Sequence, residues 1–291
     1  MDSWDKLRGK RVFLSGASGF VGTWLTESFE YANEALNLRA KLTNVPRDSL
    51  PDGYFDFGIH AAKAQNFSDD MDATRRFLKF SEERHASRIL FCSSGAVYGK
   101  LPLGMTRVPE EYAGMPETEY GRAKFAGEMR FSQSKVCAVI ARMFAFVGPG
   151  VPLDANFAVG NFVGDVMEGR PITIQGDGSA RRSYLYAADM AIWLWTLLLN
   201  GRHATPYNVG SPQPVSIWEL AHTVAENTAR GTEVKVLGQG SGSVYVPFTE
   251  RSRTEFELRP SISLAEGIRR MYDWNVKAKD REMMLVPATT V

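Results

Sequence analysis

The chain has few of the residues that would staple it or bind a metal: two cysteines and four histidines in 291 residues. Cys92 and Cys137 both sit in hydrophobic runs, which disfavours a disulfide framework and points to buried free thiols in a reducing compartment. His60, His85, His203 and His222 are scattered, with no HxxxH or CxxC spacing, so no metal is expected. An excess of charge of one sign is also missing. Lysine plus arginine number 34 against 33 acidic residues, a net charge of +1, so no global field draws in nucleic acid or an anionic membrane. Any anion must therefore be held by a local site. Long hydrophobic runs are lacking as well. The longest, Ala191 to Leu199, falls far short of the roughly 20 residues that span a bilayer. The opening MDSWDKLRGKRVFL is too polar for a signal peptide. These absences predict a cytoplasmic protein with neither a nucleic-acid nor a membrane partner.

What is present is an alternation of short β-rich runs and amphipathic stretches, at 44% apolar and 23% charged residues. Arg11–Ser15, Leu38–Thr43, Tyr54–Ala61, Arg88–Ser93 and Lys135–Arg142 read as strands. Phe20–Ala32, Phe67–Arg84 and Glu119–Ser134 read as helices, the second with apolar residues at three- and four-residue steps. This order predicts an α/β fold: a doubly wound parallel sheet with helices on both faces. Beyond about Gly148 the pattern loosens. Helices are expected at Asn156–Glu168, Ala187–Leu199, Ser216–Ala229 and Ser263–Tyr272, with short strands at Pro171–Ile174 and Tyr207–Val209 and an unstructured tail from about Lys277. We divide the chain into residues 1–150, a dinucleotide-binding domain, and 151–291, a smaller α/β substrate lobe over the carboxyl ends of the strands. About 180–205 is expected to return to the first domain.

VFLSGASGFVG places Gly16, Gly19 and Gly22 between the first strand and the first helix. One glycine permits the tight turn, another the approach of a pyrophosphate, and a third close helix–strand packing. The helix N-terminus supplies N–H groups and partial positive charge. Ser18, Phe20 and Val21 belong to the same cradle. The second strand ends on Thr43 and Asn44, with no carboxylate to repel a 2′-phosphate and with Arg47 near enough to bind one. On that ground NADP is favoured over NAD.

Tyr120 and Lys124 lie four apart on a predicted helix and so share a face. A phenol ordinarily titrates near pH 10, and a neighbouring ammonium is expected to lower that value and permit proton exchange with a substrate oxygen. ILFCSSGAVYG is a buried strand running into small polar residues, and it would present Ser93 or Ser94 at the sheet edge. A hydroxyl beside the phenol can orient the reacting C–O group. Ser93 reads better as a strand-terminating residue.

The succession GxxGxxG, SSxxVYG and, about 26 residues later, YxxxK resembles the extended short-chain dehydrogenase/reductase family, in its nucleotide-sugar epimerase/dehydratase branch. The resemblance runs from Arg11 to about Trp274 and implies a Rossmann-type fold, a dinucleotide cofactor and a homodimer formed through Phe67–Arg84 and Glu119–Ser134. It implies Ser94 as the catalytic hydroxyl, Tyr120 as acid/base, and Lys124 as the residue that binds the nicotinamide ribose and lowers the Tyr120 pKa. IHAAKA resembles the segment beside the cofactor, at Ala61 and Ala62. ITIQGDGSARRSYLYAADMA resembles the stretch carrying a diphosphate-binding arginine, here Arg182. Arg251 in VPFTERSR is a second match, with Arg253 an alternative. Gly95 beside the catalytic serine and Asn161 on the helix Asn156–Glu168 complete the expected substrate contacts.

Three departures bear on the reaction. The family's 4,6-dehydratases follow the catalytic hydroxyl with Asp-Glu, whereas this chain has Gly95 and Ala96, which disfavours water elimination. ARMFAFVGPG has Ala145 in place of the usual Asn. Only about 40 residues separate the Gly-rich turn from His60, so a strand–helix excursion near the adenine is expected to be missing. The leading expectation is NAD(P)H-dependent reduction of a nucleotide-linked 4-keto-6-deoxy sugar, a deoxysugar biosynthetic step. The alternative is a 4-epimerase with tightly bound NAD. A non-catalytic dinucleotide sensor is disfavoured by the intact Ser94, Tyr120 and Lys124.

Overall fold

In the computed structural model, residues 3–46, 51–63, 66–155, 157–240 and 242–285 are described. In chain order the elements are β1 (Arg11–Ser15), α1 (Phe20–Ala35), β2 (Lys41–Val45), β3 (Phe57–His60), α2 (Phe67–Glu83), β4 (Arg88–Ser94), α3 (Glu119–Ser132) and β5 (Cys137–Met143). There follow β6 (Ala145–Val147), α4 (Ala158–Met167), β7 (Ile172–Ile174), β8 (Arg181–Arg182), β9 (Tyr184–Tyr186) and α5 (Ala187–Asn200). The remainder are β10 (Pro206–Val209), β11 (Val215–Ser216), α6 (Ile217–Asn227), β12 (Val234–Val236), β13 (Val244–Tyr245), α7 (Glu250–Phe256) and α8 (Leu264–Leu285).

The chain resolves into two units. The first comprises Met1–Phe144, Ala188–Pro212 and Tyr245–Arg259; the second comprises Ala145–Ala187, Gln213–Val244 and Pro260–Val291. Tyr245–Arg259, which the sequence reading assigned to the smaller lobe, groups with the first unit.

The first unit is built on a six-stranded sheet in the order β10-β5-β4-β3-β1-β2, with every pairing parallel. The continuous apolar runs of its central strands follow from burial on both faces: Val12, Phe13 and Leu14 of β1 and Ile89, Leu90 and Phe91 of β4 are fully buried. An aromatic core of Phe13, Phe55, Phe77, Phe80, Phe91 and Phe131 packs beneath α2 and α3. Gly127 of α3 lets the helix settle onto that core, because a Cβ there would lie 2.6 Å from the Phe91 ring. The two helices begin where their caps dictate. The Asn66 side chain accepts from the Asp69 N–H, and the Thr118 hydroxyl accepts from the Gly121 N–H.

The second strand begins at Lys41 rather than Leu38, because Asn37 and Arg39 adopt left-handed backbone angles (φ 47° and 54°) that end the preceding turn and cannot join a ladder. Among the described residues no helix or strand separates β2 from β3, as the short spacing predicts, and β2 is an edge strand. The tail also differs from expectation. A helix, α8, runs through Lys277 to Leu285, with Glu266 paired to Arg269 and Arg270 in its first turns. The second unit carries small ladders, β6 with β9 and β7 with β12, and helices α4, α6 and α8 packed on one another. Among the described residues no helix is long and apolar enough to cross a membrane.

Candidate active site

The Gly-rich turn forms as the spacing requires. Gly16 takes φ +83°, and a Cβ there would lie 2.5 Å from the Ala62 nitrogen; one at Gly22 would lie 2.1 Å from the Gly16 oxygen. Strand, turn and helix are thus in backbone contact, and the Ala61 N–H donates to the Ser15 carbonyl at 3.0 Å. Gly19 caps α1 without a side-chain bond, and Ser18 and Gly19 are exposed. Phe20 and Val21 open the helix half-buried. A helix start lined only by glycines and small residues suits an anionic pyrophosphate. It opens on a cavity of about 810 Å³ lined by Gly16, Ala17, Ser18, Asn44, His60 and Ala62, among others. Thr43, on the same strand as Asn44, is half-buried and outside that lining. Glu27, Lys63 and Arg76 supply the charged side chains of the wall. Volume, turn and helix end fit a dinucleotide. Arg47 lies outside the described residues.

Ser94 and Lys124 are buried in the first unit, while Tyr120 keeps 39% of its surface exposed. Ser94 ends β4 and caps the following 3-10 turn, its hydroxyl accepting from the Ala96 N–H at 3.1 Å. It also bears on the titration of the Tyr120 phenol. The Lys124 ammonium lies 5.8 Å from the centre of the Tyr120 ring and 5.2 Å from that of Phe91. It sits 3.5 Å from an Asp70 carboxylate oxygen and donates to the Ala62 carbonyl at 3.5 Å. The Lys124 and Asp70 side chains are only 3% and 5% exposed, so this is a buried ion pair.

The electrostatics overturn one expectation. The Tyr120 pKa is raised, not lowered: desolvation at the hydroxyl dominates, the Ser94 bond works against it, and the charges of Asp70 and Cys92 add to the rise. Lys124 is not among the main causes of the shift, and its ammonium is paired with Asp70. Burial lowers the Lys124 pKa, and Asp70 opposes the fall. His60, stacked on Phe77 and Phe91, is held neutral, with its pKa lowered to about 3 by burial first and by Lys124 second. Its Nδ1 lies 2.6 Å from the Ser15 hydroxyl.

The other sequence-chosen residues divide. Ser93 is structural: its hydroxyl donates to Glu128 at 2.5 Å, and Glu128 pairs with Arg142 at 2.8 Å beneath the sheet edge. Gly95 packs against the Phe144 ring and the Tyr245 hydroxyl. Arg251 is bound to Glu111 and to the Pro206 carbonyl, within the first unit, and Arg253 is paired with Glu250. Arg182, in the second unit, donates to the carbonyl and hydroxyl of Ser243, each at 3.0 Å. Asn161 lines a second cavity, of about 1000 Å³, wholly within that unit.

Two members of the first site escaped the sequence reading. Asp70 carried a signal, since it is a charge on the buried stripe of α2 with Thr74, Phe77 and Ser81. Tyr245 carried none. Its hydroxyl lies 3.5 Å from that of Ser94, across 151 residues of sequence.

Comparison with known proteins places this arrangement. The family model for the NAD dependent epimerase/dehydratase family matches residues 59–210. UDP-glucuronic acid decarboxylase 1 of Arabidopsis thaliana is 34% identical over 134 residues, covering 45% of this chain and 31% of the relative. UDP-glucuronic acid decarboxylase 3 of the same plant is 31% identical over 209 residues, covering 69% of this chain and 56% of the relative. The matched regions thus span about a third to a half of those relatives' length. In structure, dTDP-glucose 4,6-dehydratase from Bacillus anthracis, solved with NAD, superposes with a TM-score of 0.81 at 16% identity, covering 93% of this chain and 98% of that one. Turn, sheet and matched segment together make this chain a member of the NAD-dependent epimerase/dehydratase family.

Proposed function

We propose that this enzyme uses NADPH to reduce the keto group of a nucleotide-linked 4-keto-6-deoxyhexose. The observation that carries the reading is the stretch after Ser94, where Gly95 and Ala96 offer no ionisable group, together with burial that raises the Tyr120 pKa. Reduction asks for a proton donor at the carbonyl oxygen and nothing more. Epimerisation, dehydration and decarboxylation of a sugar acid all begin by oxidising a hydroxyl, which asks for a phenolate base.

In this reading Ser94 donates a hydrogen bond to the carbonyl oxygen, and Tyr120 gives that oxygen its proton as charge develops. NADPH, when bound along the Gly-rich cavity, supplies the hydride. Lys124, paired with Asp70, would hold the cofactor ribose. The cavity's described charged residues, Lys63 and Arg76 against Glu27, favour the additional 2′-phosphate of NADP. Arg47, after β2, remains our candidate for the same phosphate. In the second unit Asn161 is assigned to the nucleotide and Arg182 to its diphosphate. The exposed Phe125 and Met129 of α3 support a homodimer formed through α2 and α3.

Tyr120→Phe tests the assignment. Product formation, followed by NMR of the sugar, should fall by about 10²-fold or more, the usual contribution of a positioned acid. Undiminished turnover would sink it. A 4-epimerase needs the same three side chains and no further carboxylate; NAD retained through purification, with no consumption of reduced cofactor, would favour that second reading.

A further inference from the structure

The Ser94 hydroxyl has one proton to give and two lone pairs to fill. One lone pair is taken by the Ala96 N–H at 3.1 Å. The Tyr245 phenol lies 3.5 Å from the same oxygen. Tyr245 is well anchored there. Its ring packs on Phe144 at 4.7 Å between centroids, against the cluster of Val97, Tyr98 and Val108, and its hydroxyl also donates to the Met143 carbonyl at 3.4 Å. The single phenol proton can go to the Met143 carbonyl or to Ser94, which lie at nearly equal range. The same hydroxyl occupies the space a side chain at position 95 would need, since a Cβ on Gly95 would lie 2.8 Å from it. Position 95 thus carries no side chain, and the Tyr245 hydroxyl and the Phe144 ring fill the gap.

We propose that Tyr245 is a positioning residue that sets the polarity of the Ser94 hydroxyl. When the Tyr245 proton turns from the Met143 carbonyl to Ser94, Ala96 and Tyr245 both donate to the serine oxygen, and Ser94 then has only its own proton to offer, to the Tyr120 oxygen or to the substrate oxygen. A serine locked as a donor suits a carbonyl oxygen that gains charge, and it cannot act as an acceptor from a substrate hydroxyl. The bond from Ser94 that opposes the rise of the Tyr120 pKa has this same sense. Tyr245 therefore acts on the reaction through Ser94.

The inference rests on the reductase reading for its direction of hydrogen bonding, but its test does not. Tyr245→Phe keeps the ring and removes the donor. Measured on whichever hydride transfer the wild type performs, kcat should fall about tenfold, the value of one oriented hydrogen bond. KM for the sugar, the dissociation constant for NADPH read by fluorescence, and the melting temperature should stay within error. In a Ser94→Ala background the same substitution should change kcat by less than about twofold, because its target is gone. Equal losses in both backgrounds would overturn the proposal by putting the phenol directly on the substrate. No loss in the wild-type background would also overturn it, as would a loss accompanied by a matching fall in melting temperature. Gly95→Ala offers a second route, since its methyl must displace the phenol; kcat should fall in wild type while Tyr245→Phe adds nothing further. If the wild type consumes no NADPH with any keto sugar, the reductase reading fails, whereas the Ser94–Tyr245 coupling is still decided by the reverse or epimerising turnover.

Discussion

Asp70→Asn removes the countercharge from an ammonium that has almost no contact with water. Lys124 and Asp70 are 3.5 Å apart with side chains 3% and 5% exposed, and breaking such a pair by deleting one partner costs about 3–5 kcal/mol. Asparagine keeps an oxygen that can accept from the ammonium, so the loss should sit near about 3 kcal/mol. In a chain of this size each kcal/mol moves Tm by roughly 2–4 °C, giving a fall of about 6–12 °C. The pH dependence identifies the cause. Burial already lowers the Lys124 pKa, and Asp70 resists that fall, so the variant's Lys124 must titrate lower still. A lysine whose folded pKa lies below its unfolded value, about 10.4, destabilises the fold while charged, and the penalty lifts as pH rises through the folded pKa. The deficit of Asp70→Asn should therefore be largest near neutrality and shrink toward pH of about 10, where wild type keeps a buried carboxylate facing a neutral amine. Calorimetry across that range is the assay. A deficit that is absent, or constant with pH, would refute the buried ion pair as the stabilising element.

Three further outcomes follow from the same geometry. Gly22→Ala places a Cβ 2.1 Å from the Gly16 oxygen, so NADPH affinity, read by fluorescence quenching, should fall at least about tenfold; unchanged affinity would mean the turn does not carry the cofactor. Because the Tyr120 pKa is raised, its proton is retained at neutral pH and lost only as pH climbs past that raised value. The reductive rate should accordingly be flat through neutrality and fall only on the far alkaline side; a decline between pH of about 7 and 9 would contradict the protonated donor. Arg76→Ala should weaken NADPH more than NADH by about tenfold to a hundredfold, the value of one charge-assisted hydrogen bond, and equal weakening would remove Arg76 from the 2′-phosphate.

What could be read from the sequence was what is local in it. Gly16, Gly19 and Gly22 sit within seven residues of one strand–turn–helix, and Tyr120 and Lys124 within one helical turn, so spacing alone brings each set together. The parallel sheet was legible for a similar reason, since buried parallel strands are continuous apolar runs. Residues whose meaning depends on distant partners were not legible. Lys124 read as the charge that would acidify the phenol, but the fold sets Asp70 against it, and the phenol moves the other way. Arg251 read as a phosphate ligand, yet its guanidinium is bound to Glu111. Tyr245 lay in an unremarkable stretch, and only the return of Tyr245–Arg259 to the first unit carries its hydroxyl to Ser94. The misread start of β2 turned on the left-handed Asn37 and Arg39, which composition does not report.

The most direct test of the central claim is to add NADPH and a 4-keto-6-deoxyhexose nucleotide to the purified protein and follow the near-ultraviolet absorbance of the reduced cofactor. The account predicts steady loss of that signal, faster with NADPH than with NADH and abolished by Tyr120→Phe. No consumption, with stoichiometric NAD released from the protein on denaturation, would contradict it.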